Sequence, residues 1–497
     1  MDCEVVVVGG GIGGLAVAAL LAQRGVNVCL LERERQVGGC AAPFEKFDHS
    51  FESGYGLFSG WNAEEIHQRV FSELPVDPPD VRVCEPPYVV RLPDASEIAL
   101  TSNQNEFETS LRQAFPECAE EAVVFYRDIA DIGAALRRTL RRTPELLSAS
   151  RSRRAFALLP EGRLAVKILK SEAHATLEYL QGASLRFRRF IDVQLQTFAL
   201  AGSAEVSYLQ AALALSAPQA GLWSMRGGAA ALADRLAESV KRSGGRIRLD
   251  TPVLRLAYDS AGNAVGVDLL SGERVTASKA IVSNLTLWDT YGKLVGLNRT
   301  PTEIRKRLKT LRGWGAYLLY LSLDQTSGTL KIPDHVLALA DWQEASEYNP
   351  ENNQLMFAAA PAWDSRAPNG KLAVTVHVFT DVDEWFTFHN DEAELEAKDQ
   401  QMLEQCWQRL HAAIPELGST AEVIETATPR SFYETTRRKL GMVGGIVPPT
   451  PAFWQTEPSY KTSLSQLFII SDTTSFGGIE GLVREALALA NHLTPGK

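Results

Sequence analysis

The chain has 497 residues, more than one hydrophobic core usually organises, so we expect at least two domains or one nucleotide fold with large insertions. Its 50 basic and 60 acidic residues give a formal net charge of −10, which removes any general electrostatic reason to expect a nucleic-acid partner. The six cysteines form no CxxC pair and the eight histidines no HExxH motif, so the sequence predicts a reduced, cytosolic protein without a metal site.

Two signals of membrane insertion or export are missing from the sequence. No run of about 18 or more apolar residues is present, so we expect no membrane span. The short stretch at residues 4–8 is apolar after Glu4 but leads straight into glycines, without the positively charged start and small-residue cleavage site of a signal peptide.

A dinucleotide-binding motif follows the first apolar run. The stretch at residues 4–8 consists of Glu4 and four β-branched apolar valines, as in a strand buried on both faces, and the motif GGGIGG follows at residues 9–14. Gly9 would permit the tight turn, Gly11 would let the backbone approach a pyrophosphate, and Gly14 would let the next helix pack closely. The alternative is a glycine-rich turn without a ligand, and the elements that follow argue against it.

The next elements complete a βαβ unit. Residues 15–24 read as a helix that ends at a glycine, and residues 26–31 read as a second strand. The N–H groups of the first helical turn and the positive end of the helix dipole would face the pyrophosphate. Glu32 lies 18 positions beyond Gly14, at the end of the second strand, where it would accept the hydroxyls of an adenosine ribose.

Residues 33–40, RERQVGGC, point to FAD rather than NAD. The acidic residue, the short gap and the pair Gly38-Gly39 resemble the start of the flavoprotein superfamily that includes the amine oxidases and the phytoene desaturases. The chain has no second GxGxxG motif, which argues against a built-in NAD(P)H domain. We therefore expect electrons to leave to oxygen or a membrane quinone.

The last residues resemble the same superfamily. Residues 467–470 read as a strand, Asp472 follows it, and Gly477-Gly478 precede an apolar helix at residues 482–493. In the family an aspartate at this strand end bonds the flavin ribityl chain, and the helix N-terminus faces the pyrimidine edge of the isoalloxazine. The resemblance implies FAD as the cofactor and the following binding residues: Gly9, Gly11, Ile12, Gly13, Gly14, Glu32, Arg33, Gly38, Gly39, Cys40, Gly54, Val253, Asp472, Gly478 and Ile479.

The resemblance also implies an α/β fold with two domains. A Rossmann-like FAD-binding domain of the glutathione-reductase type would be discontinuous, with an inserted α+β substrate domain. Strands expected at residues 246–249, 253–258, 265–270 and 280–283 would return the chain to the FAD-binding domain, with Val253 beside the adenine. We expect the FAD-binding domain at residues 1–75, 221–290 and 440–497, and the substrate domain at residues 76–220 and 291–439, with a helical, membrane-facing part around residues 130–200.

Several interior stretches look like the carotenoid desaturase and carotenoid isomerase branch, most closely the cyanobacterial C-3′,4′ desaturase group. They are FESGYG at residues 51–56, IHQRVF at 66–71, FIDVQLQ at 190–196, SAPQAGL at 216–222 and GMVGGI at 441–446. The C-terminal segment departs from the family, since Ser471 precedes the aspartate and Phe476 holds the position of a proline. Glu480 and Arg484 also bring charge to a helix start that is often apolar in the family. We expect them to form an i, i+4 pair on a helix surface; if they face the flavin instead, the substrate has a polar group.

A polyene substrate would lie in a long apolar tunnel, and the flavin would supply the reactivity. We expect desaturation, in which a hydride passes to flavin N5 and a proton to a base or to water. A carotenoid isomerase using reduced FAD without net redox change is one alternative, and an FAD amine oxidase acting on a soluble amine is another. The amine oxidase would favour aromatic side chains beside the flavin, for which the sequence offers Trp61, Trp223, Trp288, Trp314, Trp385 and Trp454. A flavin-binding escort protein without enzyme activity is a further alternative.

No residue stands out in the sequence as a catalytic acid or base. His377 alternates with apolar residues on a predicted strand, which favours a buried, hydrogen-bonded structural histidine. The catalytic residues therefore remain unassigned from the sequence, as do the oligomeric state and the exact substrate.

Residues 137–170 form a basic segment in an acidic protein. They contain ten arginines and lysines but only two glutamates, and leucines and other apolar residues lie between them. Such a segment would enter the lipid interface with its apolar face while its cations meet anionic headgroups. We therefore expect peripheral contact with the inner face of a membrane, from which a lipophilic polyene would reach the site. The alternative is a solvated basic helix pair that packs its leucines on the protein.

Overall fold

The computed structural model describes residues 2–149, 151–325, 332–344, 347–386, 391–446 and 460–496. The strands are β1 Asp2–Val8, β2 Val28–Leu31, β3 Phe44–Lys46, β4 His49–Phe51, β5 Val81–Val83, β6 Val89–Arg91, β7 Glu97–Ala99, β8 Trp223–Met225, β9 Arg246–Arg248, β10 Val253–Tyr258, β11 Ala264–Leu269, β12 Arg274–Ser283, β13 Gly315–Asp324, β14 His335–Leu339, β15 Gln354–Ala359, β16 Lys371–Thr380, β17 Ala421–Ala427 and β18 Leu467–Ile469.

The helices connect and cover these strands. They are α1 Ile12–Gln23, α2 Ile66–Glu73, α3 Gln104–Ala114, α4 Ala119–Arg142, α5 Arg151–Leu158, α6 Arg163–Ser171, α7 Leu185–Ala199, α8 Tyr208–Leu215, α9 Ala217–Ala220, α10 Gly228–Arg242, α11 Leu287–Asp289, α12 Thr302–Thr310, α13 Glu392–Ala413, α14 Pro429–Thr436 and α15 Gly478–Leu493. Within the described residues, every helix falls short of the length and apolar character that crossing a membrane requires.

The first sheet brings the two ends of the chain together. Its order is β10-β11-β12-β1-β2-β9, and β18 pairs with β12. Strand β1 is the centre of a parallel part, pairing with β2 on one side and β12 on the other. The C-terminal half of β12 also pairs in parallel with β18, so the last strand of the chain lies two places from the first. This parallel part, with its βαβ unit, confirms the predicted α/β fold.

Helix α1 is apolar all round because it is covered on every side. Residues Ile12 to Ala22 are all buried, and the helix contacts both α10 and α15. A helix without a polar face has to lie in a core. The N-terminal glycine-motif helix and the C-terminal helix therefore pack directly on each other, which places both of their N-termini at the same side of the sheet.

Strand β12 is longer than the sequence predicts. We expected residues 280–283, but the strand begins at Arg274, where its half-exposed part pairs antiparallel with β11. The buried half alone has the continuous apolar pattern of a central parallel strand. The exposed half alternates polar and apolar residues, so its strand character depends on the hairpin partner.

The second sheet is mostly antiparallel, with the order β17-β13-β16-β15-β14-β6-β7. Strands β13 and β16 pair over their whole length, from Gly315 with Thr380 to Asp324 with Lys371. Helix α13 packs on one face through a cluster that includes Trp385 and Cys406. A separate layer of helices, with α4, α7 and α8 in one shared core, packs beside this sheet. This α+β part agrees with the expected architecture, while the boundaries of the two domains stay a prediction.

The close approach of α1 to the turn before it leads to a stability prediction. A Cβ added at Gly14 would lie 2.2 Å from the carbonyl oxygen of Gly9, so the backbone would have to move. We expect Gly14→Ala to lower the free energy of unfolding by about 1–3 kcal/mol, as overpacking does. Gly292→Ala is the matched control, because its Cβ would meet open space within the turn Thr290–Leu294. Equal urea midpoints for the two variants would contradict the expectation.

Candidate functional site

A cavity of about 1880 Å³ is lined by residues of both sheets and of the helical layer. Pockets for one small ligand are usually roughly 300–1,000 Å³, so this cavity has room for a dinucleotide and a second molecule. Fourteen of the fifteen predicted cofactor-binding residues line it. The exception is Gly14, which lies behind the motif and supports helix packing instead.

The glycine motif forms a cradle that leaves helix donors free. Gly9 has a φ of +100°, which a residue with a Cβ rarely adopts, and its N–H donates to the carbonyl of Leu31. Helix α1 begins after Gly11 without a side-chain cap, so among the described residues no side chain bonds to the N–H groups of its first turn. A Cβ at Gly11 or Gly13 would lie 2.6 Å and 2.7 Å from neighbouring side-chain atoms. Free donors at a helix start and a surface without side chains fit a bound pyrophosphate.

The carboxylate of Glu32 is positioned by backbone donors. One oxygen accepts the N–H of Gly10 at 2.5 Å and the other accepts the N–H of Glu34 at 2.8 Å. The side chain lines the cavity but is only 9% exposed. An oriented carboxylate at this strand end fits the ribose of a dinucleotide. Val253 lines the same part of the cavity, after Asp250 and Thr251.

The second glycine pair is attached to the first. The N–H of Gly38 donates to the carbonyl of Gly10 at 2.8 Å, and both Gly38 and Gly39 have positive φ. Cys40 follows and lines the cavity; burial raises the pKa of its thiol, and the nearby Arg438 opposes this only in part. Cys40 is therefore a neutral thiol. The Arg33 guanidinium instead donates to the carbonyl of Thr435, so it lies at the rim of the cavity.

Arg438 is a cavity residue that the sequence reading missed. Its guanidinium lies 3.0 Å from the carboxylate of Asp472 and donates to the carbonyls of Met442 and Gly444. It thus joins the GMVGGI segment to the end of β18. Although burial alone would lower the pKa of Arg438, the carboxylate of Asp472 raises it. The only sequence signal was its position just before a stretch that resembles the family.

Asn284 is a second residue that the sequence reading missed. Its amide donates to the carbonyl of Ile470 at 2.5 Å and lies against Gly11. It therefore connects the ends of β12 and β18 beside the glycine motif. No motif marks it, because its role depends on three segments that are far apart in the chain.

The N-terminus of α15 also opens onto the cavity. Gly477 and Gly478 have φ of +92° and +58°, and in the described part of the chain no side chain caps the helix. A Cβ at Gly481 would lie 2.0 Å from the carbonyl oxygen of Phe476, so this turn is as tight as the one at α1. Gly478 and Ile479 line the cavity, where the helix dipole would stabilise negative charge.

The part of the cavity beyond these glycines is mainly apolar. Its wall includes Leu57, Phe58, Phe198, Leu200, Leu213, Ala214 and Leu222. Gly54 and Tyr55 enter it from the FESGYG stretch, and the buried Tyr55 hydroxyl has no hydrogen-bond partner among the described residues. None of the tryptophans proposed for an aromatic cage lines the cavity within the described residues, and Trp454 lies outside them.

The expected surface position of Glu480 and Arg484 is wrong. The i, i+4 ion pair forms, but Arg484 is buried and both side chains line the cavity. Their helix is covered by α1 and α2, which a pattern of charge at i, i+4 does not reveal. His377, in contrast, is a buried histidine whose Nε2 lies 3.1 Å from the carbonyl oxygen of Ser53, as expected for a structural role.

A family model described as "Flavin containing amine oxidoreductase" matches residues 12–494. Among curated proteins, the all-trans-retinol 13,14-reductase of Danio rerio is 24% identical, over 98% of this chain and 85% of that protein. The chloroplastic prolycopene isomerase of Arabidopsis thaliana is 26% identical, over 95% of this chain and 79% of that protein. Both likenesses therefore extend over nearly the whole chain.

Solved structures share the fold at low identity. A putrescine oxidase variant is 15% identical with a TM-score of 0.64, covering 99% of both chains. Cyclohexylamine oxidase from Brevibacterium oxydans is 16% identical with a TM-score of 0.62, again covering 99% of both chains. Together with the family match, these likenesses confirm the predicted fold class and the FAD cofactor, while contacts of individual residues with FAD stay predictions.

The position of Glu32 leads to a test of how the protein binds the adenosine end of FAD. We expect Glu32→Ala to raise the dissociation constant for FAD by about 10-fold or more, since a carboxylate–hydroxyl hydrogen bond contributes about 1.5–3 kcal/mol. FAD titration of the apoprotein, followed by flavin fluorescence, measures this. Glu238→Ala is the control, because Glu238 pairs with Arg235 and Arg242 on the surface of α10 and does not line the cavity. Equal affinities in the two variants would mean that the ribose contact lies elsewhere.

Proposed function

We propose that this chain, which belongs to the flavin-containing amine oxidoreductase family and uses FAD as an oxidoreductase, acts on the carbon–carbon bonds of a lipophilic polyene. The observation that carries the proposal is the apolar wall of the cavity beyond the two glycine turns. A hydrocarbon chain is stabilised by such a wall, at roughly 25 cal/mol per Å² of apolar surface removed from water. Relatives named as prolycopene isomerases and retinol reductases support the same substrate class.

We propose desaturation as the reaction, as in the cyanobacterial C-3′,4′ desaturase group that the interior stretches resemble. FAD supplies the acceptor for a hydride when it is bound. The apolar wall would exclude water and hold the polyene in one orientation. Burial raises the pKa of Tyr55 well above its usual value, so its free hydroxyl would donate a hydrogen bond and not act as a base. The relatives named prolycopene isomerase favour isomerisation, so isomerisation without net redox change is the second reaction that we propose for a polyene substrate.

Amine oxidation is the alternative from another class of reaction. The observation in its favour is the partly buried Glu480 carboxylate in the cavity wall, which would attract an ammonium group. Against it, Arg484 already pairs with that carboxylate, and the surrounding wall is apolar. The soluble amine therefore ranks below the polyene.

An anaerobic titration separates these reactions. We expect lycopene-type polyenes in detergent to bleach the oxidised flavin if the enzyme desaturates, and to be isomerised only after dithionite reduction if it isomerises. Putrescine and cyclohexylamine should leave the flavin oxidised. Bleaching by an amine, with no response to any polyene, would overturn the proposal in favour of amine oxidation. The electron acceptor would then be identified by reoxidation with oxygen or a quinone.

We also propose that the basic segment at residues 137–170 brings the protein to the inner face of a membrane. Part of the segment packs on the protein, as the alternative predicts, because Leu140, Leu146, Leu158 and Ile168 are buried in the core. Four other apolar side chains on and between α5 and α6 are exposed: Phe156, Leu159, Val166 and Leu169. Exposed basic residues accompany them, namely Arg153, Arg163, Lys167 and Lys170. We call these eight residues the basic apolar patch.

The burial and the ion pairs of the arginines show which of them are available to contact lipid. Arg154 is 2% exposed and donates to the carbonyl of Ala149, so the expectation that it contacts lipid is wrong. Arg138 and Arg142 form ion pairs with Glu161, which reduces the free charge of the segment. Ser150 and the side chain of Arg151 lie outside the described residues.

Vesicle flotation tests the patch. We expect the protein to float with phosphatidylserine-containing liposomes at low salt, and Arg153→Glu, Arg163→Glu and Lys170→Glu together to abolish flotation, since each basic residue near an anionic surface contributes about 1 kcal/mol. The control carries Arg305→Glu, Lys306→Glu and Lys309→Glu on α12, which are also exposed. Flotation lost equally in both triple variants, or absent from the unmodified protein, would argue against the patch.

A further inference from the structure

A group of charged side chains lies in the otherwise apolar part of the cavity. It consists of Arg137 from α4 and of Glu480 and Arg484 from α15, and we call it the charged cluster. The cluster brings two cations and one anion to a wall that also contains Leu140, Leu213 and Ala214. Burying charge in such surroundings is costly unless each charge has a partner.

Glu480 has its partners within the protein. Its carboxylate accepts from the Arg484 guanidinium and from the Ser59 hydroxyl. Burial alone would raise the pKa of Glu480, but Arg484, Ser59 and Arg137 lower it to about 2. Gly60 allows this arrangement, since a Cβ there would lie 2.7 Å from Cγ of Glu480. Glu480 is therefore an anion that Arg484 already neutralises.

Arg137 has only neutral hydrogen-bond partners. Its two terminal nitrogens donate to the Ser216 hydroxyl at 2.6 Å and to the carbonyl of Leu213 at 2.8 Å. Within the described part of the chain, no carboxylate lies within ion-pair distance of Arg137, whereas the next residue, Arg138, pairs with Glu161. Burial lowers the pKa of Arg137, and the more distant carboxylates of Glu480 and Glu65 oppose this. A bound anion would supply the missing partner.

His67 is an independent sign of a ligand at the same place. It is fully buried, lines the cavity and stacks on Trp61 with ring centroids 4.3 Å apart. Neither ring nitrogen makes a hydrogen bond of normal geometry among the described residues, although the Ser59 backbone lies near the ring. Burial lowers the pKa of His67 to about 4, although Glu480 and the Ser59 backbone oppose this, so the ring is neutral at pH 7. A neutral imidazole can donate one hydrogen bond, and a buried donor without an acceptor is unfavourable.

We propose that the charged cluster binds the carboxylate of an amphipathic polyene acid, with Arg137 as its ion partner and His67 as a hydrogen-bond donor. This inference rests on the proposed polyene function and defines its substrate further. The apolar wall would take the hydrocarbon chain, while the carboxylate would reach Arg137, the cation of the cluster that lacks a charged partner among the described residues. Arg137 and His67 are thus proposed as specificity-determining residues.

Other occupants satisfy the cluster less well. Arg137 is partly buried, and a hydrocarbon end in the cavity would cover its guanidinium without supplying a counter-charge, which costs more than a solvated cation. An ammonium group would meet two guanidinium groups and a carboxylate that is already paired. A hydroxyl would accept one hydrogen bond from Arg137 but would not neutralise its charge.

The test compares an acid with its ester in the FAD-loaded enzyme. All-trans-retinoic acid, its methyl ester and β-carotene are titrated in detergent, and binding is followed by the change in the flavin spectrum. We expect the acid to bind about 10-fold or more tightly than the ester, as for a desolvated charge pair. Arg137→Gln should abolish that ratio, and Arg137→Lys should restore part of it. Arg138→Gln, on the exposed side of the same helix, should leave the ratio unchanged.

The outcomes separate this inference from the proposed function. If the ester and β-carotene bind as tightly as the acid, or if Arg137→Gln keeps the ratio, the carboxylate site is overturned while the polyene function stands. If none of the three compounds changes the flavin spectrum, both are overturned. If Arg137→Gln shifts the flavin reduction potential but not the ratio, Arg137 acts on the flavin and the carboxylate site is overturned. Equal FAD content and thermal unfolding confirm that each variant is folded.

Discussion

Close backbone packing at two glycine turns is the constraint on which the rest of the site depends. At α1 a Cβ on Gly14 would come within 2.2 Å of the Gly9 carbonyl oxygen, and at α15 a Cβ on Gly481 would come within 2.0 Å of the Phe476 carbonyl oxygen. Both helices can therefore start directly at the sheet edge with their N–H groups uncapped. Because the two helices also pack on each other, their positive ends face one cavity, where a doubly charged pyrophosphate and an electron-rich ring system can be held.

Paired charges maintain this cavity wall. Arg438 and Asp472 connect the segment before β18 to its end, and Arg484 and Glu480 connect successive turns of α15. Such partly buried pairs contribute little net stability, but removing one member leaves an uncompensated charge, so they specify one arrangement of the chain. Arg137 differs from them because its partners are neutral. A charge in an apolar wall needs a partner of opposite charge. Arg438 and Arg484 have such partners within the protein, so Arg137 is the arginine that we consider a candidate for binding an anionic ligand.

Substrate access and substrate recognition draw on the same helical layer. Helix α4 carries Arg137 into the cavity, and α6, which packs on α4, carries part of the basic apolar patch. An amphipathic polyene would leave the bilayer near that patch with its polar end in contact with basic residues. Inside the cavity, Arg137 would then replace the surface cations as the partner of the polar end of the polyene. The proposed membrane contact and the proposed carboxylate site are thus compatible parts of one route.

Local patterns in the sequence predicted the α/β fold, the strands of the first sheet and the cofactor, because a strand, a glycine turn and the next helix are contiguous in the chain. They predicted neither Asn284 nor Arg438, whose contacts join segments that are distant in sequence. They also misplaced Glu480, Arg484 and Arg154, since the period of a helix shows which residues share a face but not what covers that face. The tertiary structure decided this, because burial depends on the elements packed from elsewhere in the chain, and only burial converts an ordinary surface charge into part of a site.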